Sequence, residues 1–220
     1  MTMTYVLLPG GWHGGWVWDE IAEGLRVHGH EAVAVTLDGL EEEPAPGSAS
    51  ANLDTHIDRA LAALEACGPG PITLCGHSYA GFVVAGAADR SVRSIERLVF
   101  CDAFVPADGD SWWALANEQY RQRIITGAEA DGRTVAPRIG ADPRTRPHPV
   151  ASFLQRLELG DGLDRVERRT LIYASAWEAT PFRSQYERLR VDPAWEVHEL
   201  PTAHNVMLEA PEDLLAILTK

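Results

Sequence analysis

A chain of 220 residues, 45% of them hydrophobic and 23% charged, is long enough to bury a full core and short enough to fold as one domain over residues 1–220. Its net charge of −13, with no basic cluster beyond Arg168-Arg169, argues against nucleic acid and anionic membrane surfaces as partners, because phosphate groups would be repelled rather than neutralised. Three cysteines, Cys67, Cys75 and Cys101, suit neither a zinc site nor a disulfide framework, and with no charged-then-apolar leader and no stretch approaching a bilayer span the chain reads as a soluble, cytoplasmic protein.

In chain order, Thr4-Tyr5-Val6-Leu7-Leu8 is a first strand, followed by a loop from Pro9 to Gly15 and a helix whose apolar face runs Val17, Ile21, Leu25 and stops near Gly29. Ala32 to Leu37 is a second strand, and the acidic stretch from Asp38 to Ser50, with its prolines and glycines, a surface loop. Leu53, Ile57, Leu61 and Leu64 recur at helical spacing until Gly68 ends the turn. Pro71 to Cys75 is an apolar strand, Phe82 to Ala88 a small-residue helix, and Ile95 to Cys101 another strand ending at Asp102. From Pro106 to about Leu163 the pattern breaks, with Pro137, Pro143, Pro147 and Pro149 in the second half, and an irregular or short-helical insertion over the sheet is expected. Strand signal returns at Arg169 to Ala174, then a helix near Pro181 to Leu189, a strand from Trp195 to Leu200 and a closing helix from Pro211 to Leu218. Strands alternating with helices predict an α/β fold: a doubly wound, mostly parallel sheet with helices on both faces and a short cap inserted at about 106–163.

Gly76-His77-Ser78-Tyr79-Ala80-Gly81 falls where that strand meets that helix, which is the layout of a nucleophile elbow. In a parallel sheet, ligands gather at the carboxyl ends of strands, and Ser78, Asp102, Glu178 and His204 all fall just past predicted strand ends. A serine hydroxyl needs a base to take its proton as it attacks, and His204, between the last strand and the last helix, stands where the order serine, acid, histidine puts it. Two carboxylates compete to orient that imidazole, Asp102 and Glu178; the plainer roles are a turn-capping group for Asp102 and a solvated loop charge for Glu178. An oxyanion requires two backbone donors, here the N–H of Tyr79 and that of Gly11 in the first loop. Trp12 and His13 are candidate pocket walls, His13 being equally a structural hydrogen-bonder, and His77 reads as a packed support. Trp112 and Trp113 suggest an apolar substrate site beneath the insertion, or ordinary packing of cap on core.

With these segments in view, the chain resembles the α/β-hydrolase superfamily over nearly its whole length, and within it the compact branch of plant methylesterases, hydroxynitrile lyases and small bacterial esterases. The resemblance is carried by Leu7-Leu8-Pro9-Gly10-Gly11-Trp12-His13-Gly14-Gly15-Trp16, by Leu74-Cys75-Gly76-His77-Ser78-Tyr79-Ala80-Gly81, and by Ala203-His204-Asn205-Val206-Met207-Leu208 with Pro211. It implies Ser78 as nucleophile, His204 as base and the N–H groups of Gly11 and Tyr79 as oxyanion donors. Three departures matter. Pro9-Gly10 stands where the family usually has His-Gly. The family's acid aligns with Trp177, one step before Glu178, which shifts weight to Asp102. Gly10 and Asn205 occupy the places of the threonine and lysine of cyanohydrin-cleaving members, which disfavours that lyase chemistry. The expectation is a cofactor-free serine hydrolase cleaving an ester, thioester or lactone of a small, largely apolar molecule through an acyl-enzyme; the alternatives are a catalytically silent ligand-binding relative, or a lyase or cyclase in the same pocket.

Overall fold

In a computed structural model describing residues 2–45, 47–128, 130–178 and 180–220, six strands form one parallel sheet: β1 (Thr4–Leu8), β2 (Glu31–Ala34), β3 (Ile72–His77), β4 (Arg97–Cys101), and, after the insertion, β7 (Arg168–Ala174) and β8 (Trp195–Leu200). Their order is β2-β1-β3-β4-β7-β8, and every neighbouring pair is parallel. The helices between them are α1 (Asp19–Val27), α2 (Leu53–Ala66), α3 (Ala80–Arg90) and α7 (Arg183–Leu189), with α8 (Val206–Glu209) and α9 (Pro211–Leu218) closing the chain. No helix among the described residues is long and apolar enough to cross a membrane.

Alternation along the strands separates two cores. Val6, Leu8, Leu74, Leu98, Phe100, Leu171 and Tyr173 point to the face covered by α2 and α3, where Leu53, Ile57, Leu64, Phe82 and Val84 meet them. Tyr5, Leu7, Cys75, Val99, Cys101 and Ile172 point to the opposite face, against Trp18, Ile21 and Leu25 on the α1 side and Leu214, Ile217 and Leu218 of α9. Because the central strands are buried on both faces they read in sequence as apolar runs, which is why they were legible there.

The second strand is shorter than its sequence predicts. It ends at Ala34 rather than Leu37, because this is the sheet's edge and the chain peels away after one more backbone bond, Val35 N–H to the Leu7 carbonyl at 3.0 Å. Thr36 then turns its hydroxyl to accept the Gly15 N–H at 2.8 Å, and Val35 and Leu37 remain buried as packing rather than as strand.

Between β4 and β7 lie α4 (Trp112–Leu115), α5 (Glu118–Gly127), the two-residue strands β5 (Thr134–Val135) and β6 (His148–Pro149), which pair antiparallel, and α6 (Val150–Leu154). The segment is fastened to α2: the Gln155 side-chain oxygen accepts the Leu53 and Asp54 N–H groups at 2.8 and 3.3 Å, and its amide donates to Asp54 Oδ2 at 2.6 Å.

Candidate active site

Three non-glycine residues among the described ones hold a positive φ, Trp12 at 68°, Ser78 at 56° and Asp102 at 40°, and each directly or closely follows a central strand, β1, β3 or β4. L-residues pay for this conformation in strain, so its appearance at three adjoining strand ends marks a site the surrounding fold enforces. At Ser78 the enforcement is visible. Its carbonyl accepts the N–H of Gly81 and of Phe104, both at 3.2 Å, and the turn is so tight that a Cβ on Gly76 would lie 2.9 Å from the Ala80 carbonyl oxygen and one on Gly81 only 1.9 Å from that of Phe104. Only glycine fits at either place.

Asp102 is fully buried. Its Oδ1 accepts the Ala174 N–H of β7 at 3.0 Å, and its Oδ2 lies 2.7 Å from His204 Nδ1. A carboxylate in this position only accepts, so Nδ1 carries the proton and Nε2 is left as an acceptor for the Ser78 hydroxyl, 2.9 Å away. Burial above all, with the Arg138 guanidinium acting in the same direction, holds the imidazole below its ordinary pKa, so it is neutral and able to take a proton at pH 7. Burial pushes the Asp102 carboxyl up, and the Ala174 N–H works against that shift. His204 is further held by its own carbonyl, which accepts His77 Nε2–H at 2.9 Å, and by the rings of His77 and Trp177 on either hand, at centroid distances of 4.4 and 4.3 Å. Glu178 is exposed and takes no part in this chain of bonds.

Gly11 and Tyr79 both border the cavity that Ser78 lines, and the N–H of neither donates to a protein acceptor among the described residues. The first loop is braced from the insertion. His148, fully buried, donates Nε2–H to the Ser152 hydroxyl at 2.8 Å, which itself donates to the Pro149 carbonyl, so the free Nδ1 accepts the Trp12 N–H at 3.3 Å. His56 donates Nε2–H to the Asp38 carbonyl at 2.9 Å and accepts the Tyr79 phenol at 2.8 Å, fixing the residue after Ser78. Every proton in this network has one consistent place.

Around Ser78 and His204 opens a cavity of about 600 Å³ walled by Trp12, Phe104, Trp112, Phe153, Trp177 and Phe182. Gly11, Trp12, His13, Tyr79 and Trp112, all singled out in the sequence, border it. His13 does both things considered for it: it lines the cavity and donates Nδ1–H to the Gly11 carbonyl at 2.8 Å. Trp113 does not belong here. It packs against the core beside its neighbour, with the Arg121 guanidinium 5.9 Å from its ring. Spacing missed His56, His148, Ser152 and Trp177, whose partners are remote in sequence; for Trp177 the signal was its alignment with the family's acid position.

The geometry is that of an acyl-transfer site on an α/β sheet, and residues 5–217 match the model of the alpha/beta hydrolase family, to which the chain belongs. It is 32% identical to a carbendazim hydrolyzing esterase of Nocardioides sp. (strain SG-4G) over 96% of each chain. Among solved structures, an extracellular alpha/beta-hydrolase from a Paenibacillus species, described as homologous to tobacco salicylic acid binding protein 2, superposes with a TM-score of 0.83 at 20% identity over 99% of this chain and 98% of its own. Tomato methylketone synthase I, solved with 2-tridecanone, superposes at 0.80 with 18% identity over 100% and 97%.

Proposed function

We propose that this chain is a serine esterase that cleaves a small, largely apolar ester through an acyl-enzyme, with Ser78 as nucleophile, His204 as base and Asp102 as the carboxylate that orients it. The observation that carries the reading is the unbroken chain Asp102 Oδ2, His204, Ser78 Oγ, at 2.7 and 2.9 Å, in a cavity also bordered by Gly11 and Tyr79, whose N–H groups have no protein acceptor among the described residues. The 32% identity to an esterase over nearly both whole chains supports it independently.

Ser78 Oγ attacks the ester carbonyl as its proton passes to His204 Nε2, and the imidazolium is stabilised by Asp102 Oδ2. Negative charge on the former carbonyl oxygen is met by the Gly11 and Tyr79 N–H groups, each donor of this kind contributing roughly 10²–10³ in rate. The intermediate collapses as His204 returns the proton to the departing alcohol, leaving an acyl group on Ser78. A water, deprotonated by the same imidazole, then releases the acid. No step draws on a cofactor, and the partner is a small molecule. The free cysteines, Cys67, Cys75 and Cys101, fit a reducing compartment such as the cytoplasm.

Ser78→Ala tests the reading: turnover of a 4-nitrophenyl ester should fall by about four to six orders of magnitude, and rapid labelling by a fluorophosphonate probe should disappear. Wild-type protein that is folded yet inert to the probe would favour the ligand-binding alternative.

A further inference from the structure

Two arginines border the cavity, Arg123 from α5 and Arg138 from the loop after β5. Arg123 is half-buried, with its guanidinium 4.6 Å from the centroid of the Trp12 ring. Neither forms an ion pair among the described residues, although the chain carries 32 acidic side chains against 19 basic ones. The carboxylates that share the cavity wall are engaged elsewhere. Asp142 is held by the Arg144 guanidinium at 2.8 and 3.0 Å, and Glu209 accepts the Ala203 N–H at 2.7 Å. Asp102 faces His204.

Arg123 is half-buried and Arg138 exposed, and two like charges bordering one largely aromatic cavity with no carboxylate paired to either are unfavourable for the empty protein. Burial and the neighbouring Arg138 charge both depress the Arg123 pKa, and Arg138 also acts against protonation of His204, the step that every acyl transfer here requires. An anion bound between the guanidiniums would relieve both repulsions at once. The guanidinium fork matches the two oxygens of a carboxylate, and the Trp12 face supports one of the forks from behind.

We propose that Arg123 and Arg138 form an anion subsite of the cavity, and that the substrate is a half-ester: an apolar body with the scissile ester at Ser78 and a free carboxylate at its far end. This rests on the esterase reading above and narrows it to a substrate class. It assigns the two arginines as specificity-determining residues.

The test compares 4-nitrophenyl hydrogen glutarate with 4-nitrophenyl methyl glutarate, which differ only in whether the distant carboxylate is free or masked. The free acid should be hydrolysed with a kcat/KM higher by about tenfold or more, and the ratio should shrink in about 0.5 M NaCl. In Arg123→Gln/Arg138→Gln protein the ratio should fall to about one, whereas Arg123→Lys/Arg138→Lys should keep part of it, since charge remains and only the fork is lost. A ratio near one in the wild type, or a preference that survives the double glutamine change, overturns the subsite. A second arm needs no turnover: binding of monomethyl glutarate and dimethyl glutarate to Ser78→Ala protein, followed by tryptophan fluorescence, should favour the monoanion by about the same factor. Preferential binding with no hydrolysis of either ester would sink the esterase reading and leave the anion subsite standing; hydrolysis with equal binding would do the reverse.

Discussion

Asp102 combines three costs that a merely structural residue would not carry: a backbone at φ 40°, complete burial, and a carboxylate whose two oxygens are committed to Ala174 N–H and His204. The arrangement fixes one tautomer of the imidazole, and that is what an isosteric change would destroy. Asp102→Asn keeps the shape but presents an N–H or a weaker acceptor to Nδ1, and should lower kcat by about 10⁴-fold. Glu178→Gln, at an exposed position outside the chain of bonds, should stay within about twofold of the wild type. Ester-hydrolysis kinetics on the two variants decides between the carboxylates, and a reversed order would reassign the acid. The sequence alone held both residues in play because each follows a strand, and distance from a strand end says nothing about which carboxyl turns inward. Ser78 and His204 were legible for the opposite reason: glycine spacing and position in the chain constrain them whatever the side chains around them do. The guanidiniums of Arg123 and Arg138 were not legible at all, because which residues of an irregular insertion reach a cavity depends on how it drapes.

At the scale of elements, β4 is held at both ends, by Asp102 at its carboxyl end and by Arg97 at its start. Arg97 is 1% exposed, a rare state for a charged group, and its guanidinium is nearly saturated: Nε donates to Thr170 Oγ1 at 2.9 Å, Nη1 to the Ile217 and Leu218 carbonyls at 3.2 Å, and Nη2 to Glu196 Oε2 at 3.3 Å. The two carbonyls are the negative end of α9, which Tyr5 also secures through its hydroxyl to Leu218 at 2.8 Å. One side chain thus ties β4, β7, β8 and the last helix together. Arg97→Met keeps the buried length but strips these donors from the carbonyls and from Thr170. It should cost about 3 kcal/mol, read as a lower urea midpoint with an unchanged slope, while kcat of the folded fraction stays within about threefold. An unchanged midpoint would show that α9 docks by apolar packing alone. The strand itself was readable from its apolar run, and the arginine within it was not given a role. Its partners lie 73, 99 and 120 residues away, beyond any spacing rule. The insertion defeats periodicity differently: its strands are two residues long and α4, α5 and α6 span four to ten, too short for an apolar face to declare itself.

Over the whole molecule, the buried histidines make stability depend on pH in a direction that surface charge opposes. His56, His77 and His148 are at most 2% exposed and are wired into the site as neutral rings. Burial lowers all three, His56 to about 4 and the other two well below their ordinary value. Between the unfolded value of about 6.5 and these depressed values, the unfolded chain binds protons that the native state refuses, so stability is complete above about pH 6.5 and falls as the solution is acidified. Each such histidine contributes a slope of about 1.4 kcal/mol per pH unit, and the three together about 4. His204, lowered in the same way, and Asp102, raised by burial, act in opposite senses and offset each other. Acidification also reduces the self-repulsion of a chain with net charge −13, a diffuse surface contribution that screening keeps small. The buried rings therefore dominate. Lowering the pH from 6.5 to 5 should remove about 5 kcal/mol, a large share of what a domain of this size possesses, and the urea midpoint should drop steeply across that interval in moderate salt. Replacing His148 by leucine should lower stability at pH 7 yet flatten the pH dependence by about 1.4 kcal/mol per unit, a paired outcome that a loss of packing alone would not produce. A midpoint that is level between pH 6.5 and 5 would mean that these rings accept protons in the native state, and with them that the bonds holding Trp12 and Tyr79 against the site rearrange rather than persist.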